Sequence, residues 1–337
     1  MRALDLIAHR GPDDAGLLVD GSCVLGHRRL SIIDLTAAGH QPMASADERL
    51  WISFNGEVYN YLELREELES LGRRFRTETD TEVLLQAYEE WGTETLNRLN
   101  GMFAFAIWDR ERQALFCARD RFGVKPLYYT TVAGRFMFAS EIKALFADPA
   151  VPRRANDGRV LDYLAWSLVD HTSETMFAEV EQLPAGCWLE VGAGRIEPTV
   201  HRWYELRPAA TSEPTATIRR VLESAVELRL RSDVPVGVSL SGGMDSSSVL
   251  AVAARLEQER GGAVPQSFSA RSSIEGVDEY VYSEAVLRAT GSENSHFLPS
   301  GAELRGELES LFWHLDEPFH GPSVFCLLYT SPSPRDS

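Results

Sequence analysis

The sequence predicts an α+β domain followed by an α/β domain, and three observations predict it. Up to Trp203, short β-branched and aromatic runs closed by turn residues outnumber helical stretches. After Pro214, apolar strands alternate with amphipathic helices, the order of a parallel sheet with crossovers. Between the two lies Pro208-Ala209-Ala210-Thr211-Ser212-Glu213-Pro214, which has the composition of a linker. The expected boundaries are 1–203 for the first domain, 204–214 for the linker, 215–325 for the part of the second domain present, and 326–337 for a tail that belongs to neither.

In the first domain, Ala3 to Pro12 reads as the end of a helix running into a turn. Val24 to Ile33 and Leu50 to Phe54 read as strands, the second closed by Asn55-Gly56, a pair that tolerates positive φ and so predicts a turn. A helix follows with Leu64, Leu68 and Leu71 on one face and Gly72 at its end. Leu84, Ala87, Tyr88 and Trp91 fall at i, i+3, i+4 and i+7 of a second helix stopped by Gly92. Met102–Trp108, Ala114–Ala118 and Phe136–Ala139 read as successive buried strands.

In the second domain, Ile218, Val221, Leu222 and Ala225 form one apolar helical stripe. Val234–Leu240 reads as a buried strand, followed by a Ser/Gly loop and a helix from Asp245 to Glu259. Ser267–Ala270 is the next expected strand and Asp278–Thr290 the next helix. From Cys326 to Ser337 the chain is rich in Ser and Pro, has no helical or strand period, and resembles one reading frame of a sequencing-library adapter. It is read as a non-native tail and left out of fold reasoning.

Composition narrows the function classes. The 337 residues carry 33 Lys plus Arg against 50 Asp plus Glu, a net charge of −17. A surface this acidic argues against non-specific binding to nucleic acid or anionic membranes. With 44% hydrophobic and 25% charged residues the chain reads as a globular protein. No run approaches the roughly 18 apolar residues of a membrane span, and the first residues lack a secretion signal's apolar core, so a cytoplasmic location is expected. Four dispersed cysteines, Cys23, Cys117, Cys187 and Cys326, form no CxxC pair, which argues against a disulfide scaffold or a structural zinc site.

One loop carries phosphate chemistry. Ser241-Gly242-Gly243-Met244-Asp245-Ser246-Ser247 sits between an expected strand and an expected helix. Paired glycines turn successive N–H groups toward one point, and the helix start adds unpaired donors and partial positive charge. Asp245 would repel a phosphate unless a cation lies between them, which points to Mg²⁺ bridging to pyrophosphate oxygens. The simpler reading is an ordinary helix start capped by Ser241 or Asp245. The loop lacks the Gly-Lys-Ser/Thr of a Walker A site. Ser-Gly-Gly-x-Asp-Ser-Ser after an apolar strand resembles the pyrophosphate loop of ATP pyrophosphatases, which cleave ATP between the α and β phosphates.

The first domain supplies an ordered set of motifs: His9-Arg10-Gly11-Pro12-Asp13, His27 to Asp34, Phe54-Asn55-Gly56-Glu57-Val58-Tyr59-Asn60, Gly101 to Phe105, Arg119 to Tyr128, and Ala139-Ser140-Glu141-Ile142-Lys143. Together they resemble the glutaminase domain of glutamine-hydrolysing asparagine synthetases, and with the Ser241 loop the resemblance covers nearly all of 1–325. It implies an N-terminal-nucleophile fold of two stacked antiparallel sheets between helices, joined to a partial parallel-sheet ATP-pyrophosphatase domain. It also assigns residues. Asn55 and Gly56 would form the oxyanion hole. Arg29 would pair with the glutamine α-carboxylate, Leu30 and Ile32 would line the pocket through their backbones, and Glu57 and Asp80 would hold the amide and α-amino ends. In the second domain, Leu240 and Ala270 would cradle the adenine and ribose of ATP, Ser241, Gly242, Gly243, Ser246 and Ser247 the pyrophosphate, and Asp245 the Mg²⁺.

The implied activity is ATP-dependent amidation of aspartate to asparagine through β-aspartyl-AMP, with ammonia from glutamine hydrolysis. Glutamine, aspartate and ATP are the implied substrates, and the resemblance leaves room for a homodimer. One departure stands out. The family's nucleophile is a cysteine directly after the initiator methionine, whose free α-amino group helps as base, whereas residue 2 here is Arg2. The first strand carrying that cysteine is also expected to be missing, either through truncation or in a genuine ammonia-only homologue. The chain as written is expected not to hydrolyse glutamine. The aspartate-binding residues would lie beyond Phe325, which leaves open another amide- or lactam-forming ligase on the same scaffold, or a non-catalytic fragment.

Overall fold

A computed structural model of the chain describes residues 1–192, 194–208, 212–273 and 278–318. Two compact units divide it, Met1–Arg207 and Pro208–Ser337.

In the first unit the order is α1 (Arg2–Leu6), β1 (Asp14–Asp20), β2 (Cys23–Arg29), β3 (Met43–Ala44), β4 (Leu50–Val58), α2 (Tyr61–Ser70), α3 (Asp80–Trp91), α4 (Thr95–Arg98), β5 (Gly101–Asp109) and β6 (Ala114–Arg119). It continues with β7 (Tyr128–Val132), β8 (Arg135–Ala139), α5 (Ile142–Leu145), α6 (Asp157–Trp166), β9 (Glu181–Gln182), β10 (Cys187–Gly192) and β11 (Arg195–Arg202). Six strands form one antiparallel sheet in the order β11-β10-β6-β5-β4-β3, while β8-β7-β9 and β1-β2 form two smaller sheets.

Strand alternation explains how these layers stack. Along β5, Phe103, Phe105 and Ile107 pack with Leu64 and Leu68 of α2 and Leu84 and Ala87 of α3. The intervening Ala104, Ala106 and Trp108 face Leu25 of β2, Tyr129 of β7 and Leu183. Behind the small sheets, Ile142 and Leu145 of α5 form a third cluster with Val151 and Val180. The result is stacked antiparallel sheets between helices, as the motifs implied.

Several local expectations change. Asn55-Gly56 does not turn the chain; it lies inside β4, paired with Ala104 and Phe103 of β5. Nine residues of ladder pairing outweigh the local preference of two. β2 ends at Arg29 instead of continuing to Ile33. Leu71 follows the last turn of α2 and is 54% exposed, so Leu64 and Leu68 alone carry that face. Cys187 opens β10, where it is buried.

The segment between β6 and β7 is tied down by polar side chains. Arg119 donates from Nε to Lys125 O at 2.7 Å, from Nη1 to Leu183 O at 2.7 Å and from Nη2 to Gly123 O at 2.8 Å. The Asp120 carboxylate accepts the N–H groups of Phe103, Phe122, Val124 and Lys125 at 3.0–3.1 Å.

In the second unit the elements are α7 (Pro214–Arg229), β12 (Gly237–Ser239), α8 (Met244–Glu259), β13 (Gln266–Ala270), α9 (Tyr280–Thr290), β14 (Asn294–Phe297) and α10 (Gly301–Leu315). The strands make one parallel sheet, β12-β13-β14, as the alternation predicted. The strand expected over Val234–Leu240 is only three residues long and half-exposed, since it gains a partner on one side alone. Leu240, just past it, is buried. On α7 the expected stripe is displaced: Ile218 and Val221 are 67% and 58% exposed, and Val226 is the buried residue. The tail expected over 326–337, with Cys326, lies outside the described residues. Among the described residues no helix is long and apolar enough to cross a membrane.

Candidate functional site

In the first unit a cavity of about 980 Å³ opens between the six-stranded sheet and the two small sheets. All seven residues expected to bind glutamine, Arg29, Leu30, Ile32, Asn55, Gly56, Glu57 and Asp80, line it. They arrive from three elements. β2 delivers Arg29 and the loop after it Leu30 and Ile32, β4 delivers Asn55 to Glu57, and the first turn of α3 delivers Asp80.

Each is held by local chemistry. The Arg29 guanidinium is buried and donates to the carbonyls of Thr36 at 2.8 Å, Asp34 and Ile33, so the loop wraps around it. Gly39 is required there, because a Cβ would stand 1.9 Å from an Arg29 terminal nitrogen. Asn55 donates from Nδ2 to Ser140 Oγ at 3.5 Å. Gly56 has no room for a side chain, since a Cβ would meet Met102 O at 2.2 Å. Thr79 caps α3 by accepting the Glu82 N–H at 3.1 Å, which fixes the turn that presents Asp80.

Asp80 is 6% exposed and accepts the Val58 N–H at 2.9 Å. Burial pushes its carboxyl up to about 7, and the neighbouring Glu57 charge pushes the same way. Lys125 also lines the cavity; burial lowers its ammonium from the usual value, against the pull of Glu57. The cavity wall thus carries the cationic Arg10, Arg28, Arg29, Arg135 and Lys125 beside the carboxyls of Glu57 and Asp80, groups of both signs that could meet the two charged ends of an amino acid.

Sequence reasoning gave no role to Lys125, Ser140, His27 or Ser53, which also line the cavity. His27 faces Ser53 at 3.2 Å from Nδ1 to Oγ, and burial pushes its imidazole down to about 4. Ser140 lies within the motif Ala139 to Lys143, but its meeting with Asn55 spans 85 residues and leaves no local signal. Glu141 is likewise gripped by His9 at 2.7 Å, Arg10 at 3.0 Å and Lys143, anchoring the chain just after Ser140.

No described cysteine is placed as an activated nucleophile. Cys23 lines the cavity wall, but burial pushes its thiol up to about 12. Cys117 and Cys187 are buried, with their thiols pushed up by the same cause.

In the second unit, Ser241, Gly242 and Gly243 connect β12 to α8. Gly242 adopts φ +86°, and a Cβ there would approach Glu279 O at 2.8 Å. Gly243 is the N-cap and provides no side-chain acceptor, so neither Ser241 nor Asp245 caps the helix. Ser241 Oγ instead lies 3.1 Å from Ser246 Oγ and accepts the Gly243 N–H at 3.3 Å. Ser247 donates its N–H to Gly243 O at 3.1 Å as the helix begins. Asp245 is exposed in the first turn. Leu240 is fixed by its N–H to Phe268 O at 2.7 Å and by Ser269 Oγ to its carbonyl at 2.7 Å; Ala270, exposed, ends β13 opposite Phe297. Among the described residues no group of three or more His, Cys, Asp or Glu gathers to hold a metal. A Mg²⁺ held by one carboxylate and substrate phosphates needs no such cluster, and Asp245 with its neighbouring hydroxyls offers the hard oxygens that ion takes.

Comparison with known proteins divides the chain at the same place. Residues 1–204 match the glutamine amidotransferase domain family and residues 217–333 match asparagine synthase. Glutamine-hydrolysing asparagine synthetase 1 of Bacillus subtilis is 38% identical over 332 residues, covering 97% of this chain and 51% of that protein. Asparagine synthetase 3 of the same organism is 35% identical, covering 94% of this chain and 54% of its own length. The amidase chyE of Penicillium rubens is 34% identical, covering 94% of this chain and 49% of its own. The chain thus spans about half the length of the curated relatives it matches.

Proposed function

Since the chain belongs to the family of glutamine-hydrolysing asparagine synthetases, with an amidotransferase domain over residues 1–204 and an asparagine synthase match over 217–333, we propose that its parent protein amidates aspartate to asparagine at the expense of ATP, with ammonia drawn from glutamine. The convergence of seven expected residues on one cavity carries this reading. In it, Arg29 receives the glutamine α-carboxylate, Asp80 and Glu57 hold the α-amino and amide ends, and Leu30 and Ile32 line the pocket through their backbones. Asn55 Nδ2 and the Gly56 N–H donate to the oxygen that gains charge as the amide carbon becomes tetrahedral.

In the second unit the loop Ser241–Ser247 receives the pyrophosphate of ATP while Leu240 and Ala270 border the adenosine. The uncapped start of α8 suits an anion, because its first N–H groups have no side-chain acceptor. Asp245 would hold Mg²⁺, which when bound offsets the charge of the phosphate oxygens. Activation as β-aspartyl-AMP and displacement of AMP by ammonia belong to the parent protein. The same reading places the reaction in the cytoplasm, where glutamine, aspartate and ATP are used together, and admits a homodimer.

The chain itself is proposed to bind glutamine without hydrolysing it, because its described thiols are buried and protonated. Isothermal titration of glutamine against the purified chain tests this. Saturable binding that Arg29→Ala or Asp80→Ala weakens at least tenfold supports the site; binding untouched by both overturns it. Glutamate release above background would overturn the reading that the described thiols are inert. A second reading is amide formation on an acceptor other than aspartate; the similar Penicillium rubens protein is named an amidase and not an asparagine synthetase. Pyrophosphate release by a protein carrying the whole synthetase domain, screened over carboxylate acceptors, separates the two.

A further inference from the structure

The loop after β2 and the turn that opens α3 are joined by one carboxylate. Asp34 stands at φ +58°, a left-handed conformation that an aspartate tolerates because its short side chain bonds locally. Its carbonyl accepts from Arg29 Nη2, beside the Ile33 and Thr36 carbonyls that receive the same guanidinium. Its carboxylate makes the other connection. Oδ1 accepts the Thr36 N–H at 3.0 Å and the Thr36 hydroxyl, and Oδ2 accepts the N–H of Glu78 at 3.2 Å, across 44 positions of sequence. Glu78 precedes Thr79 and Asp80. The stretch before it is held by Glu82, whose carboxylate accepts the N–H groups of Arg76 and Thr77 at 3.0 and 2.7 Å. Burial works against the Asp34 charge, yet the donors from Thr36 and Glu78 bring its carboxyl below the ordinary value.

We propose that Asp34 is a positioning residue for the amino-acid end of the ligand: it sets the separation between the Arg29 guanidinium and the Asp80 carboxyl, so that the two engage the α-carboxylate and the α-amino group of one molecule together. The inference rests on the glutamine reading of the cavity. Asp34 does not line that cavity and acts through Arg29 and Asp80, which do. In an amino acid the two charged groups hang from one carbon, so their separation is fixed. A site that offers both partners at the matching separation gains the second contact at little further entropic cost, and partners that drift independently lose that gain. The strand ladders do not fix the separation here, because β2 pairs with β1 alone among the described strands and α3 lies outside every sheet. A second crossing, from Gln41 Nε2 to Thr81 Oγ1 at 3.3 Å, joins neutral groups. The Asp34 bond to Glu78 is charge-assisted, which makes it roughly twice as strong as a neutral one.

The test titrates the full chain with glutamine, with glutaramate, which lacks the α-amino group, and with 4-aminobutanamide, which lacks the α-carboxylate. Asp34→Asn and Asp34→Gly both accept the left-handed backbone and so keep the carbonyl on Arg29, while both remove the carboxylate. Glutamine is expected to bind the wild-type chain at least about tenfold more tightly than either analogue. In both variants that advantage is expected to fall about tenfold, with the two analogues binding as they do to wild type. The Glu78 amide should also exchange its hydrogen faster in the variants. Unchanged glutamine affinity in both variants would overturn the positioning role. An equal loss for all three ligands would overturn it too, since that is what a general loosening of the fold produces. Failure of glutamine to saturate the wild-type chain would overturn the glutamine reading and this inference with it, a failure visible before any variant is made and so distinct from the other two.

Discussion

The backbone N–H of Val58, at the end of β4, donates to the buried carboxylate of Asp80 at 2.9 Å and joins the strand that carries Asn55 to the first turn of α3. This bond favours the ionised form of Asp80, but burial outweighs it and the carboxyl sits up at about 7. A raised carboxyl contributes no penalty below the unfolded value of 3.8, and stability is lost as pH rises from there toward 7. Asp80→Asn keeps an acceptor for Val58 and removes the ionisation. It is expected to leave stability unchanged at pH 4. At pH 8 it should raise stability by about 2–4 kcal/mol, since each tenfold change in proton affinity is worth about 1.4 kcal/mol. Glutamine binding should fall at least tenfold at pH 8. Urea unfolding at the two pH values, with titration calorimetry, checks both.

His27 tilts the other way. Burial, and then the Arg29 charge, push its imidazole down to about 4, so between 6.5 and 4 the unfolded chain takes a proton that the folded chain refuses. Its contribution is present above 6.5 and lost as pH falls. In the overlapping window Asp80 and His27 oppose each other, and the wild-type stability profile is expected to be nearly flat. His27→Gln should expose the Asp80 slope, with stability rising on acidification from pH 6.5 to 4. A profile that falls in that window in both proteins would contradict the assignment.

Gly56→Ala tests the close backbone approach of β4 and β5 at the site. Its Cβ would meet the carbonyl of Met102 and the Cα of Phe103, which are backbone atoms of the central ladder and have no rotamer to change. A loss of about 1–3 kcal/mol is expected in urea unfolding of the first unit. A neutral result would mean that β4 and β5 separate more easily than their pairing implies.

Gly242→Ala addresses the second unit. At φ +86°, with Glu279 O only 2.8 Å from the added carbon, the loop must move. Mg-ATP is expected to raise the thermal midpoint of the wild-type chain, as a ligand bound to the folded state does. The variant should lose that rise while the first unit's unfolding is unchanged.

Much of this was legible in the residues. The 3.6-residue period found α3 from Leu84 to Trp91, the apolar runs found β5 and β6, and ordered motifs picked out the residues that share the cavity. What escaped depends on partners distant in sequence. Asn55-Gly56 has the local signature of a turn, and only pairing with β5 makes it strand. Ile218 and Val221 have the period of a buried stripe, yet burial depends on what covers a helix, which periodicity does not contain. His9 meets Glu141 across 132 positions.

Arg119 and Asp120 hold the segment up to Lys125 from both sides, one donating to its carbonyls and the other accepting its N–H groups. That segment carries the Lys125 ammonium to the cavity wall. Its conformational freedom is therefore surrendered once, when the chain folds, and not again at each encounter with a ligand. Loosening the clasp with Arg119→Lys should weaken binding chiefly through entropy, with the enthalpy of the contacts conserved.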